Sequence, residues 1–134
     1  MPGRVVDASV LGALIFGEPG AAEVVALLDE AEIYAPTLLP YELASIARKK
    51  ISRYPEQIDA LSQALALSSA MDIRLIEVNG LEVVHLALET GLTVYDASYL
   101  YVSRNLGMEL ITFDRRLSDL TEAARLPASP CPRV

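Results

Sequence analysis

The sequence has little of what extracellular, zinc-binding and membrane proteins usually need. Of its 134 residues, one is cysteine, one is histidine and none is tryptophan. Cys131 has no partner for an internal disulfide, so nothing indicates an oxidising compartment. The apolar stretch 5–16 contains Asp7 and follows a single basic residue, which argues against a signal peptide, and no run is long enough to span a bilayer. We therefore expect a cytoplasmic protein without a membrane partner.

Familiar catalytic sequence patterns are missing as well. His85 is the only histidine, no Ser–His–Asp set is apparent, and there is no glycine-rich phosphate-binding loop. The length predicts a single domain over residues 1–134. The net charge of −7 argues against capture of nucleic acid by overall charge. Clustered carboxylates that bind divalent cations would nevertheless reverse the sign of the charge locally.

Short apolar strands alternate with helical patterns along the chain. This alternation predicts an α/β fold with a mostly parallel sheet covered on both faces, in which sites form beyond the carboxyl ends of the strands. The predicted strands are 4–7, 32–35, 74–78 and 109–112, and the predicted helices are 8–16, 21–31, 38–50, 55–70, 81–90, 93–106 and 114–124. The proline-rich residues 127–134 give only a weak signal for a fifth strand.

Three aspartates stand at predicted helix starts. Asp7 and Asp114 each lie at a junction between a strand and a helix, where aspartate commonly caps the helix, so capping alone explains either residue. For Asp7, the nearby Ser9 offers an alternative cap that would leave the carboxylate free. Asp96 lies near the start of the helix 93–106, where Thr93 is an alternative cap. Capping and a shared site therefore remain open for all three.

Glu42 is harder to explain as a structural residue. It lies three residues after Leu39 and four before Ile46, on the apolar face of its predicted helix. A buried carboxylate without a partner is costly. By their spacing, Arg48 and Lys49 are expected to point away from Glu42, so it needs a distant partner or a metal ion.

Together the four acids predict a metal site at one edge of the sheet. Caps would explain Asp7, Asp96 and Asp114, but not Glu42, and carboxylates gathered closely repel unless a cation intervenes. Oxygen ligands without histidine or cysteine favour Mg²⁺ or Mn²⁺ over Zn²⁺. His85 shares an apolar stripe with three leucine and valine residues of its helix and is expected in the core or at an interface.

Four segments resemble the motifs of PIN domains, and most closely those of VapC-like toxins from prokaryotic toxin–antitoxin pairs. They are Val5-Val6-Asp7-Ala8-Ser9, Tyr41-Glu42-Leu43, Tyr95-Asp96-Ala97-Ser98-Tyr99 and Ile111-Thr112-Phe113-Asp114-Arg115-Arg116-Leu117. The resemblance spans nearly the whole chain. It implies a three-layer α/β/α fold with four or five parallel strands, a metal-dependent endoribonuclease, a homodimer and an inhibitory antitoxin partner.

The resemblance also implies roles for individual residues. Asp7, Glu42, Asp96 and Asp114 take the places of the family's acidic quartet, which holds Mg²⁺ or Mn²⁺ and carries catalysis. Two hydroxyl residues, Ser9 and Thr112, match positions beside the first and last acids and are expected to orient carboxylates. For contact with RNA, Arg115 and Arg116 are better placed than the basic cluster Arg48, Lys49, Lys50 and Arg53, whose charges also suit a helix C-terminus.

Other functions remain compatible with the sequence. A metal-dependent nuclease that acts on DNA would need the same four acids, and an inactive RNA-binding module would keep them only as caps. A receiver-like signalling domain also gathers acids at strand ends, but the inward position of Glu42 and the lack of a lysine after a late strand argue against it.

Overall fold

The central sheet contains four parallel strands. The structure, a computed structural model, describes the backbone of residues 3–125 and the side chains of residues 3–121. The strands are β1 Gly3–Val6, β2 Glu32–Pro36, β3 Ile73–Ile76 and β4 Glu109–Ile111, in the order β3-β2-β1-β4. The four predicted strands are confirmed, and the predicted fifth strand at 127–134 lies outside the described residues.

Helices follow every strand, as the alternation predicted. They are α1 Ala8–Phe16, α2 Ala21–Leu28, α3 Leu39–Arg53, α4 Ile58–Ser68, α5 Gly80–Thr90, α6 Val94–Leu106 and α7 Arg115–Arg125, with a 3₁₀ turn at Pro55–Gln57 before α4. None of these helices is long and apolar enough by itself to cross a membrane, although α1 and α2 pass that test as a pair bent by 113°.

Helices cover both faces of the sheet. Val5 and Val6 are neighbours in β1 and point to opposite faces, yet both are 0% exposed. Helix α6 packs on β1, β2 and β4 and is flanked by α5 and α7, whereas α1 to α4 contact one another as a second group. The predicted three-layer α/β/α arrangement is therefore confirmed. Continuous burial of β1 explains why its sequence is apolar throughout rather than alternating.

The apolar face of α5 differs from the predicted one. The sequence placed Leu81, Val84 and Leu88 with His85 on a packed stripe, but Leu81 is 68% and Leu88 is 78% exposed, and His85 is exposed as well. The residues that pack against the core are Val83, Leu86 and Ala87. Because α5 is apolar on both sides, its period alone did not decide which side faces α6. The core alternative for His85 is therefore wrong, and its position at an interface stays a prediction.

Two smaller corrections concern helices at the surface. Helix α2 ends at Leu28 rather than at residue 31. The helix predicted at 55–70 consists of the 3₁₀ turn Pro55–Gln57 followed by α4, which ends at Ser68. Both helices lie at the edge of the core, where one or two buried residues per helix are enough to hold them.

Candidate active site

The strand order places two of the acids side by side. Strand β1 lies between β2 and β4, with Val6 opposite Ile111, and the Asp7 amide donates to the Ile111 carbonyl at 3.2 Å. Asp7 follows β1 and Asp114 follows β4 closely, so both stand at the carboxyl edge of neighbouring strands. From β1 the chain continues to β2 and β3 on one side of β1, and it later returns to form β4 on the other side. This is the switch in strand order at which α/β proteins form a crevice.

A cavity of about 290 Å³ lies at this edge and brings the four predicted acids together. Its lining residues are Asp7, Ala8, Ser9, Glu42, Ser45, Ile46, Lys49, Asp96, Tyr99 and Asp114. Each acid stands at the N-terminal end of a different helix, namely α1, α3, α6 and α7. The positive ends of four helix dipoles therefore favour negative charge in this cavity.

Asp7 is both a helix cap and a cavity residue. Its Oδ1 accepts from the Val10 amide at 3.1 Å and from the Ser9 hydroxyl at 2.7 Å, while the Thr112 hydroxyl donates to Oδ2. The alternative in which Ser9 replaces Asp7 as the cap is therefore wrong. Burial raises the pKa of Asp7, the three hydrogen bonds oppose this shift, and repulsion from Asp114 adds to it.

Glu42 finds its partner far away in the sequence. Its Oε1 accepts a hydrogen bond of 2.6 Å from the hydroxyl of Tyr99, which is 1% exposed. Burial raises the pKa of Glu42, and the negative charges of Asp96 and Asp7 raise it further, although the bond from Tyr99 works in the opposite direction. Burial and the Glu42 carboxylate also raise the pKa of Tyr99 far above its usual value, so the phenol stays protonated and donates.

Asp96 is not the cap of its helix. Thr93 caps α6 by accepting from the Asp96 amide at 3.1 Å, which leaves the Asp96 carboxylate in the first turn and at the cavity. Burial raises the pKa of Asp96, followed by repulsion from Asp114 and Asp7, while the charge of Arg116 lowers it.

Thr112 connects the ends of β1 and β4. Its hydroxyl oxygen donates to Asp7 and accepts from the Asp114 amide at 3.0 Å. Asp114 itself caps α7, because its Oδ1 accepts from the Leu117 amide at 3.2 Å. Thr112 therefore holds one carboxylate directly and fixes the backbone that carries another, which is the geometry of a residue that orients metal ligands.

Electrostatic repulsion couples the acids as a group. Of the six possible pairs, five repel strongly enough to raise a pKa, the exception being Glu42 with Asp114. The four carboxylates offer the hard oxygen donors that Mg²⁺ and Mn²⁺ prefer. Within residues 3–121, however, no three Asp, Glu, His or Cys side chains are already arranged around a common ion position. The donor chemistry fits a divalent cation, and bringing the carboxylates onto one ion requires side-chain rotation.

The charge of Arg116 acts on Asp96, whereas Lys49 lines the cavity itself; the RNA contact expected of Arg115 and Arg116 stays a prediction. Arg116 donates to the Thr90 carbonyl at 2.9 Å, at the C-terminal end of α5, and neither Arg115 nor Arg116 is among the residues that line the cavity. Lys49 does line it together with Glu42, but the two form no ion pair, and Glu42 has the distant partner that the sequence called for. The two residues are separated by seven positions, or about two helical turns, and therefore share a face.

Sequence reasoning missed two further features of the site. Ser45 lines the cavity, and its position three residues after Glu42 on α3 was a usable signal. The hydrogen bond from Tyr99 to Glu42 joins residues 57 positions apart, and no local pattern announces it.

Comparisons with known proteins agree on one family. The family model described as PIN domain matches residues 4–123. The chain is 30% identical to Ribonuclease VapC3 of Pyrobaculum aerophilum over 92% of this chain and 98% of that protein. It is 31% identical to Ribonuclease VapC9 of Mycobacterium tuberculosis over 96% and 98%, respectively. The crystal structure of PAE2754 from Pyrobaculum aerophilum superposes with a TM-score of 0.69 at 28% identity, covering 92% of this chain and 89% of the other.

Proposed function

The chain belongs to the PIN domain family, and on this premise we propose that it is an endoribonuclease, the toxin of a VapC-like toxin–antitoxin pair. The relatives named ribonuclease VapC align with nearly the whole chain, so the likeness includes every segment that contributes to the cavity. The reaction is hydrolysis of RNA phosphodiester bonds. One observation carries the proposal: four carboxylates from four separate helix starts line a single cavity at the switch in strand order.

We propose that Asp7, Glu42, Asp96 and Asp114 hold Mg²⁺ or Mn²⁺ and are the catalytic residues. A bound divalent ion supplies a water molecule of lowered pKa and offsets negative charge on the phosphate. The raised pKa values of Asp7, Glu42 and Asp96 support the assignment, because burial and, after it, repulsion between the acids disfavour their charged forms, and a bound cation would offset both effects.

Three hydroxyl residues position these carboxylates. Ser9 and Thr112 both donate to Asp7, one to each carboxylate oxygen, so that its remaining lone pairs keep a fixed direction. Tyr99 donates to one oxygen of Glu42 and leaves the other free. Because the Tyr99 phenol stays protonated, it fixes Glu42 without competing for the cation.

Cleavage assays on short single-stranded RNA and on DNA of the same sequence test the proposal. We expect Mg²⁺- or Mn²⁺-dependent cleavage of RNA by the wild-type protein and a loss of at least about a hundredfold in Asp7→Asn and Asp96→Asn. Asp59→Asn is the matched control, because Asp59 is an exposed aspartate in the first turn of α4. Retained cleavage in both cavity variants would refute the assignment. Preference for DNA would favour a DNA-directed nuclease, and absence of cleavage and of metal binding would favour an inactive RNA-binding module.

The partners follow from the same family assignment. RNA is the substrate, and an antitoxin protein is the cognate inhibitor. We further propose a homodimer and a cytoplasmic location. The exposed apolar stripe of α5, formed by Leu81, Val84 and Leu88, supports the homodimer because single domains rarely leave such a stripe uncovered.

A further inference from the structure

Helix α3 turns one face toward the cavity over two turns. Glu42, Ser45, Ile46 and Lys49 all line it, and their spacings of three, four and seven residues match one helical stripe. An acid therefore stands at one end of the stripe and a lysine at the other. Among the described residues 3–121, Lys49 is the only basic residue that lines this cavity.

Lys49 does not act as a contact counter-ion for the acids. The ion pairs formed within residues 3–121 join Arg4 to Glu109, Lys50 to Glu18 and Arg74 to Glu32, and none of them involves Lys49. Four carboxylates share a cavity with this ammonium group, yet none of them lies within ion-pair distance of it. Its side chain is exposed and is held by no described partner, so it remains available to an anion that enters the cavity.

The position of Lys49 suits an RNA strand that runs across the acids. The helical rise of about 1.5 Å per residue puts its Cα about 10 Å along α3 from that of Glu42. Side chains on a helix lean toward its N-terminus, so the long lysine side chain leans back toward the acids. The Lys49 side chain therefore lines the cavity from the far end of the stripe, which suits contact with a phosphate next to the acids.

We infer that Lys49 binds a backbone phosphate of the RNA next to the one that is cleaved. The inference rests on the proposed ribonuclease function and adds a binding subsite to it. The cations held by the acids would face the cleaved phosphate, whereas Lys49 would fix the register of the strand through a charge-assisted hydrogen bond. This arrangement also explains how a chain of net charge −7 retains a polyanion at its site.

The test compares Lys49→Gln, Lys49→Arg and Arg48→Gln in steady-state cleavage of a short single-stranded RNA with Mg²⁺. Arg48 is the matched control, since it is the preceding residue of α3, exposed and outside the cavity lining. Lys50 is unsuitable because it pairs with Glu18 at 2.9 Å. We expect Lys49→Gln to lower kcat/KM by about tenfold at low salt, mainly through KM, and to flatten its logarithmic salt dependence by about 0.7. Lys49→Arg should recover most of the loss, and Arg48→Gln should stay near wild type.

A modified substrate separates a phosphate contact from general attraction. With the wild-type protein, a single neutral methylphosphonate beside the cleaved position should lower kcat/KM by a factor similar to that of Lys49→Gln. With the Lys49→Gln protein, the same modified RNA should lower kcat/KM little further. Equal losses with both proteins at every modified position would overturn the inference, as would Lys49→Gln behaving like Arg48→Gln. If the wild-type protein does not cleave RNA, both the proposed function and the Lys49 subsite are refuted. If the wild-type protein cleaves RNA and Lys49→Gln has the same kcat/KM, only the Lys49 subsite is refuted.

Discussion

Replacing Asp7 by asparagine tests whether the carboxylates repel one another in the folded protein. At neutral pH without divalent metal, we expect Asp7→Asn to be more stable than wild type, although it removes a group with three hydrogen bonds. The change removes a buried charge that repels its neighbours. Asparagine caps helices as well as aspartate does, so the start of α1 is preserved.

The size of the cavity sets the magnitude of the stabilisation expected for Asp7→Asn. A sphere of 290 Å³ is about 8 Å across, and at that separation two unit charges at an effective dielectric constant near 20 repel by about 2 kcal/mol. Water in the open cavity weakens the repulsion, and rearranging the bond from Thr112 offsets part of the gain. We therefore expect the free energy of unfolding to rise by about 1–2 kcal/mol, which raises Tm by about 4–7 °C for a chain of 134 residues.

Divalent metal should make the wild-type protein more stable than Asp7→Asn, which is the reverse of the order expected without metal. Wild type gains about 2.7 kcal/mol when Mg²⁺ or Mn²⁺ reaches a hundred times its dissociation constant, whereas Asp7→Asn, which lacks one carboxylate, should gain much less. Thermal and urea unfolding in EDTA and in saturating metal measure both effects. Asp59→Asn has the same charge change on exposed α4 and should stay within about 0.5 kcal/mol of wild type in either buffer.

Two results would refute this reasoning. One is an Asp7→Asn protein that is less stable than wild type in EDTA, which would mean that capping and hydrogen bonding outweigh repulsion. The other is an equal gain from metal in both proteins, which would mean that the cation binds elsewhere.

Four further changes probe the same site and the proposed dimer. Between the ordinary carboxyl pKa values of 3.8 and 4.5 and the raised folded values, the folded state binds more protons than the unfolded state. The free energy of unfolding in EDTA should therefore fall as pH rises through that window, which urea unfolding at several pH values measures. A free energy of unfolding that rises with pH there would contradict the expectation. Tyr99→Phe removes the donor to Glu42, so kcat should fall by about tenfold and the acidic limb of the pH profile of kcat should shift to higher pH. An unchanged pH profile would contradict a positioning role for Tyr99. Thr112→Val should weaken metal affinity by about tenfold in calorimetry, with recovery in Thr112→Ser, and equal weakening in both would point to a packing effect. Leu88→Glu should reduce the sedimentation mass to that of a monomer if α5 forms the homodimer interface, while a dimer that persists would exclude that face.

The parts of the site that the sequence predicted are those determined by local patterns. Each strand ends where an apolar run meets an acid or a turn, and in a parallel sheet the carboxyl ends of all strands share one edge. Asp7 and Asp114 were placed at that edge for this reason, and Glu42 was assigned to the apolar face of its helix. These positions together predicted one metal site, and the PIN domain likeness agrees with that set.

Other features depend on contacts between distant segments. The sequence marked α5 as apolar but not which side would meet α6, so it left both the core and an interface open for His85, which is exposed. The hydrogen bond of Tyr99 on α6 goes to Glu42 on α3. Local spacing cannot specify such a pair, because only the packing of the two helices around the sheet decides which side chains meet.

The sequence by itself determined the alternation of strands and helices, the end of each strand to within two residues and the four acids of the cavity, since these depend on residue types within a few positions. The tertiary structure alone decided that β1 lies between β2 and β4, that Thr112 bridges the two strand ends, and that Lys49 enters the cavity. The physical reason is that strand order and helix rotation are set by burial of the whole core, to which every element contributes and which no single segment encodes.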